Sequence, residues 1–270
     1  MKPYEILNES IKFASKQLED FKATKSFNNV STIVITALYR KIIELSEGVR
    51  VSGANGLSGP ALLSYRGLIE AYLAFKYILQ DESLLEDRAK AYKVGYHKQQ
   101  IATGNYSLEK ASDDVEKQYF ELAIQHHTSE IEKEDLQEVL TEYNELQGRD
   151  RRGFIPKWYS LNNGPTSINQ LAKYLVEEDE TDRELVANLY SFLSTDAHNY
   201  MALNSIIKND ENLSIKPVRA TFNSNRDDYN FIGTRSLLTS SILKFTINAF
   251  PEYEVKVKAF AQSIAPYLSY

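Results

Sequence analysis

The chain has 270 residues, a net charge of −6, 43% hydrophobic residues and no cysteine. That length allows one large domain or two small ones, and the apolar content supplies a sizeable core and argues against disorder. The acidic balance speaks against a protein that wraps nucleic acid nonspecifically, though not against a local basic groove; the missing thiols exclude disulfides, thiolate chemistry and Cys-rich zinc sites.

The first residues, MKPYEILNESIKF, carry charges through their apolar positions and no small-residue cleavage site, so they do not read as a secretory signal. Together with the absence of cysteine, this points to a soluble, cytoplasmic protein. Only seven prolines interrupt the chain, and long 3.6-residue periodicities dominate it, so the fold class is all-α. We expect about eight to ten helices in one domain over residues 1–270.

Helix one is predicted over Tyr4–Ala23, with a stripe of Ile6, Leu7, Ile11, Phe13, Ala14, Leu18 and Phe21. Helix two is predicted over Ser31–Glu47, with Ile33, Val34, Ala37, Leu38, Ile42 and Leu45 inward and Gly48 as its stop. The three-glycine stretch Val49–Gly59 reads as a loop. It matches neither the phosphate-loop pattern nor the dinucleotide fingerprint.

Ala61–Leu79, ALLSYRGLIEAYLAFKYIL, is apolar almost all round and reads as the buried central helix, with Ser58 as its cap and Pro60 in its first turn. It is long enough to span a bilayer. Arg66 and Glu70 near its middle would each cost roughly 2.5–3.5 kcal/mol there, so it reads as a core helix with no membrane role.

Ser83-x-x-Glu86 has the form of a capping box opening a helix over Leu84–Thr103, ended by Gly104 and Asn105. Its Arg88, Tyr92 and Tyr96 fall on one face. Residues 108–147 are charged and weakly amphipathic: one long or two short helices with a wet acidic face, able to project as a subdomain. Gly148–Pro165 breaks the pattern and holds Arg149, Arg151, Arg152, Lys157 and the single tryptophan, Trp158. Ser167-x-x-Gln170 opens a short helix to Val176, and Thr181-x-x-Glu184 a long one over Asp182–Leu203. Residues 205–231 are the least periodic, with SIKPVRATF as a short extended piece. Two helices, Ile232–Ala249 and Tyr253–Leu268, close the chain around Pro251.

Two constellations carry chemistry. Arg66 and Glu70 are one turn apart, and a guanidinium and a carboxylate in an apolar helix need partners. They form either a buried ion pair that fixes helix register or part of a site. Tyr190, Ser194 and His198 are spaced four and four, and make a polar stripe on the apolar helix YSFLSTDAH. Histidine is suited to proton transfer near neutral pH, but a Ser–His pair without an oxyanion hole is a poor nucleophile, and a core histidine satisfied by hydrogen bonds is the plainer reading. Two other features weigh less. His126 and His127 point to different faces, lack ligand spacing for a metal, and read as a solvated face. Basic residues beside aromatics in Arg149–Trp158 suit phosphate contact with base stacking, or a tryptophan anchored on the core.

With SYRGLIEAYLAFKYIL, RAKAYKVGY, Lys157–Trp158 and LYSFLSTDAHNYM quoted together, residues 59–205 resemble a bacterial family of all-helical proteins known as a domain of unknown function, five-six-seven-seven. Its pattern pairs an Arg-x-x-x-Glu helix with a later Tyr-x-x-aliphatic-Ser-x-x-x-His helix, here Arg66, Glu70, Tyr190, Leu193, Ser194 and His198. The arrangement is similar in outline to the HEPN helical bundles, many of them ribonucleases of toxin and phage-defence systems. Those nucleases place Arg and His on one helix, and this sequence lacks that run. The resemblance implies a helical binding or scaffold protein, in a bacterial stress or phage-defence setting, built on a buried Arg–Glu–Ser–His network. The alternative is a metal-independent ribonuclease with Arg66, Glu70, Ser194 and His198 as catalytic candidates. Tyr96, Trp158, Tyr190, Arg151 and Arg152 are the binding candidates. A protein partner or a second copy is expected, RNA is an option, and no cofactor or metal is called for.

Overall fold

A computed structural model of the chain describes residues 1–149, 155–176, 200–209, 212–221 and 229–268. Among these, nine α-helices and one two-stranded hairpin make an all-α, multi-helix fold. The helices are α1 (Pro3–Thr24), α2 (Val30–Ala54), α3 (Ser58–Leu79), α4 (Leu85–Lys110), α5 (Asp114–Ile131), α6 (Gln137–Arg149), α7 (Ile168–Val176), α8 (Phe231–Ala249) and α9 (Glu254–Ile264). The antiparallel strands β1 (Ile206–Asn209) and β2 (Asn212–Ile215) pair Ile206 with Ile215 and Asn209 with Asn212. The helix predicted over Asp182–Leu203 lies, up to residue 199, outside the described residues. No described helix is long and apolar enough to cross a membrane.

The chain divides into two compact units, one made of residues 1–27, 35–79 and 172–270, the other of residues 28–34 and 80–171. In the first, α3 is the most apolar element. Tyr65, Leu68, Ile69, Leu73, Phe75, Tyr77 and Ile78 are all buried, as expected of its sequence. The core around it is held by a polar thread as well as by apolar packing. Gln17 of α1 donates its amide to Thr246 Oγ1 of α8 at 2.7 Å and accepts from the Tyr39 hydroxyl of α2 at 2.6 Å. Gln17 and Tyr39 are fully buried. The Tyr39 ring stacks on Phe245 with centroids 4.3 Å apart, and burial pushes its phenol well above the ordinary range. A buried amide with every partner in place fixes helix register, which loose apolar contact does not.

In the second unit, Ala91, Val94, Leu136, Val139, Tyr143 and Leu161 form the core. After the last turn of α4, which takes in residues 108–110, the charged stretch forms α5 and α6, joined by the short 3-10 turn Glu134–Leu136. On α5 only Ile131 is buried, which fits the wet face read from the sequence. Asp113 caps α5 by accepting from the backbone N–H groups of Val115 and Glu116. Ser167 caps α7, accepting from the backbone N–H of Gln170 at 3.1 Å.

Several predicted details are corrected. Neither Gly48 nor Gly104 stops a helix. A Cβ on Gly48 would lie 2.8 Å from Ser64 Oγ, and one on Gly104 2.8 Å from Ile124 Cγ1, so each marks a close helix approach. Helix α2 instead runs on to Ala54, and the left-handed turn after it falls at Gly56, whose φ is +71°. The buried face of α2 is also rotated: Ile33 and Ala37 are exposed, while Ile35, Tyr39 and Ile43 are buried. The capping box at Ser83 is replaced by Asp81, which accepts from the Ser83 backbone N–H; Glu86 accepts from the Ser31 backbone N–H instead. The extended segment lies earlier than predicted, with β2 ending before Pro217.

Candidate functional site

Arg66 and Glu70 form the expected pair on α3, with Nε and Oε1 3.3 Å apart. It is not sealed. The Arg66 side chain is 23% exposed and that of Glu70 is 42% exposed, so the expectation of a buried carboxylate is corrected. The cause is geometric: α3 buries two sides and leaves the strip carrying Ser64, Arg66, Gly67, Glu70 and Ala71 only partly covered. Tyr190, Leu193, Ser194 and His198 lie outside the described residues, as do Arg151 and Arg152.

Tyr96 and Trp158 are brought together. Both line a cleft of about 270 Å³ in the second unit, with Tyr92, Gln99, Gln100, Tyr143 and Lys157. The helical repeat of α4 puts Tyr92, Tyr96 and Gln99 or Gln100 along one stripe. The segment before the 3-10 turn Trp158–Ser160 supplies the opposite wall. Its approach depends on Gly95: a Cβ there would fall 2.7 Å from the Trp158 Cβ. The Trp158 ring then meets Tyr92 edge to face at 5.0 Å. Trp158 makes the contacts of an anchored tryptophan, while Arg151 and Arg152, on which the phosphate-contact reading draws, lie outside the described residues.

Tyr96 itself is 51% exposed. It is steadied from behind by edge-to-face contacts with His97 at 5.0 Å and His127 at 5.9 Å. The Nδ1 atoms of these histidines are 2.9 Å apart, so one donates and the other accepts. Burial, then the neighbouring His127 and Lys93, pull the His97 pKa down to about 4. This pair corrects the solvated-face reading of His127, while His126 is exposed as expected. His97 and His127 sit on different helices thirty residues apart, and no spacing rule links them; the Tyr92-x-x-x-Tyr96 stripe was the only sequence signal for this side of α4.

Among the described residues that line the walls, only Lys157 is charged. Burial raises the Tyr92 and Tyr143 phenols above their ordinary value, so both stay protonated. Lys98 packs its ammonium 5.3 Å from the Tyr143 ring and donates to Asn144 Oδ1, and burial lowers its pKa. No group of three or more histidine, cysteine, aspartate or glutamate side chains able to hold a metal occurs among the described residues.

A model of a family of unknown function (DUF5677) matches residues 32–214. The chain belongs to that family. The matched region takes in α3 with Arg66 and Glu70, and also the whole of the aromatic cleft. No curated protein and no solved structure matches the chain significantly.

Proposed function

We propose that this DUF5677 member is a helical binding protein whose contact surface is the aromatic cleft of the second unit. The observation that carries this reading is Tyr96, a large aromatic side chain held half open at the cleft by two histidines rather than folded into the core. Binding pockets combine apolar and aromatic walls with a few convergent polar groups, and aromatic residues dominate interface energetics. Trp158 is the only tryptophan, so its single indole N–H resonance reports on this cleft alone. A panel of planar aromatic fragments titrated against the protein should move that resonance, and Tyr96→Ala should weaken the response about tenfold at unchanged helicity. A response identical in wild type and variant would remove the cleft from consideration.

Metal-independent RNA cleavage by Arg66 and His198 is the second reading. It draws on the incompletely covered Arg66–Glu70 pair, since a phosphoryl group needs an accessible guanidinium. RNA degradation by wild type beside His198→Ala tests it, and equal rates would end it.

A further inference from the structure

The chemistry of the cleft narrows what it can hold. Its aromatic walls are neutral phenols and an indole. Among the described residues no carboxylate lines it, although the chain is acidic overall. Among the described residues the charge at its edge is Lys157, which is exposed and makes no ion pair with another described residue. A cationic guest would meet a like charge there. A purely apolar guest would leave two side-chain amides, Gln99 and Gln100, facing it unused. Neither amide makes a hydrogen bond to another described residue, and both follow Tyr96 by a turn on the same helix, so donor and acceptor atoms lie beside an open ring.

Resting on the cleft being the binding surface, we propose that it takes a nucleobase, stacked on Tyr96 and Trp158, read along its edge by Gln99 and Gln100, with its phosphate toward Lys157. A base has a flat π-face for the aromatic rings, mixed donors and acceptors on its edge for carboxamides, and an anion one sugar away for an ammonium. The cleft is near the lower end of small-ligand pockets, roughly 300–1,000 Å³, which suits one base and not a dinucleotide. The base could belong to a free mononucleotide or to a single strand of RNA, and the same contacts would serve both.

The Trp158 indole N–H resonance is followed while adenosine, AMP, UMP, hexa-adenylate and p-cresol, a stand-in for the tyrosyl side chain of a peptide partner, are added in turn. Saturable shifts with AMP or UMP are expected, at least about tenfold weaker in Tyr96→Ala. Lys157→Ala should remove the advantage of AMP over adenosine. Both side chains are exposed, so both variants keep the wild-type helicity. Binding of hexa-adenylate with no response to mononucleotides assigns the base to a single strand and supports the proposal. If p-cresol binds and no nucleoside, nucleotide or oligonucleotide does, the nucleobase is overturned and the cleft still stands as a binding surface. If none of the probes shifts the resonance, both readings fall.

Discussion

Gln17 is an uncharged polar side chain in the centre of an apolar unit, and it is tolerated there because both ends of its amide are used. Removing it leaves the Tyr39 hydroxyl without its acceptor, and a stranded buried group costs about 1–3 kcal/mol. Gln17→Ala should therefore lower the unfolding free energy by about 2–4 kcal/mol once the lost packing is added, measured by urea titration. A loss below about 0.5 kcal/mol would show that water replaces the amide. Glu70 is the opposite case. Its ion-pair partner Arg66 is one turn away on the same helix and its side chain is 42% exposed, so loss of that pair in Glu70→Ala should cost about 0.5 kcal/mol; a steep fall in Tm would mean that Glu70 holds something more than Arg66. The sequence announced that Arg66 and Glu70 would pair, because spacing along one helix decides it. It could not announce the exposure of the pair, which is set by neighbouring helices. Gln17 was passed over entirely, since a lone amide inside an apolar stripe looks like a surface position until its partners, 22 and 229 residues away, are placed.

At the scale of elements, the positions and types of the helices were legible from periodicity, and α1, α3, α7 and α8 begin or end within a residue or two of their expected limits. Glycine was where the reading failed. In a sequence, a glycine that ends a helix and one that lets two helices touch are the same letter, and Gly48 and Gly104 are of the second kind. The α4–α5 contact that Gly104 permits also encloses His97, and this makes the pair of helices sensitive to acid. Folded His97 has a pKa near 4 against an ordinary 6.5. Between those values the unfolded chain takes up a proton that the folded chain refuses, so stability is complete above about pH 6.5 and declines as pH falls toward 4. The decline should be on the order of 2 kcal/mol. Unfolding by urea at pH 7.5 and pH 4.5 checks this, with His97→Gln expected to flatten the difference. A wild-type stability that does not change over that range would mean that the histidine is solvated.

At the scale of the whole molecule, the all-α class, the family and the importance of α3 could be read from one sequence. The aromatic cleft could be read only in part, because its two walls come from segments about sixty residues apart and the histidines that contact Tyr96 come from two helices. Each compact unit is likewise assembled from stretches that are not continuous along the chain. The first unit needs α8 to complete what α1 and α2 begin, and the Gln17–Thr246 bond spans 229 residues. At ribosomal speeds of about 5–20 residues per second, α1 waits roughly 10–45 s for that partner to be synthesised. During that interval Ile6, Leu7, Ile11 and Phe21 have no finished core to enter. Biosynthesis of this protein thus contains an obligatory pause in a half-made, sticky condition, and chaperones that shield nascent apolar helices should decide its yield in the cell.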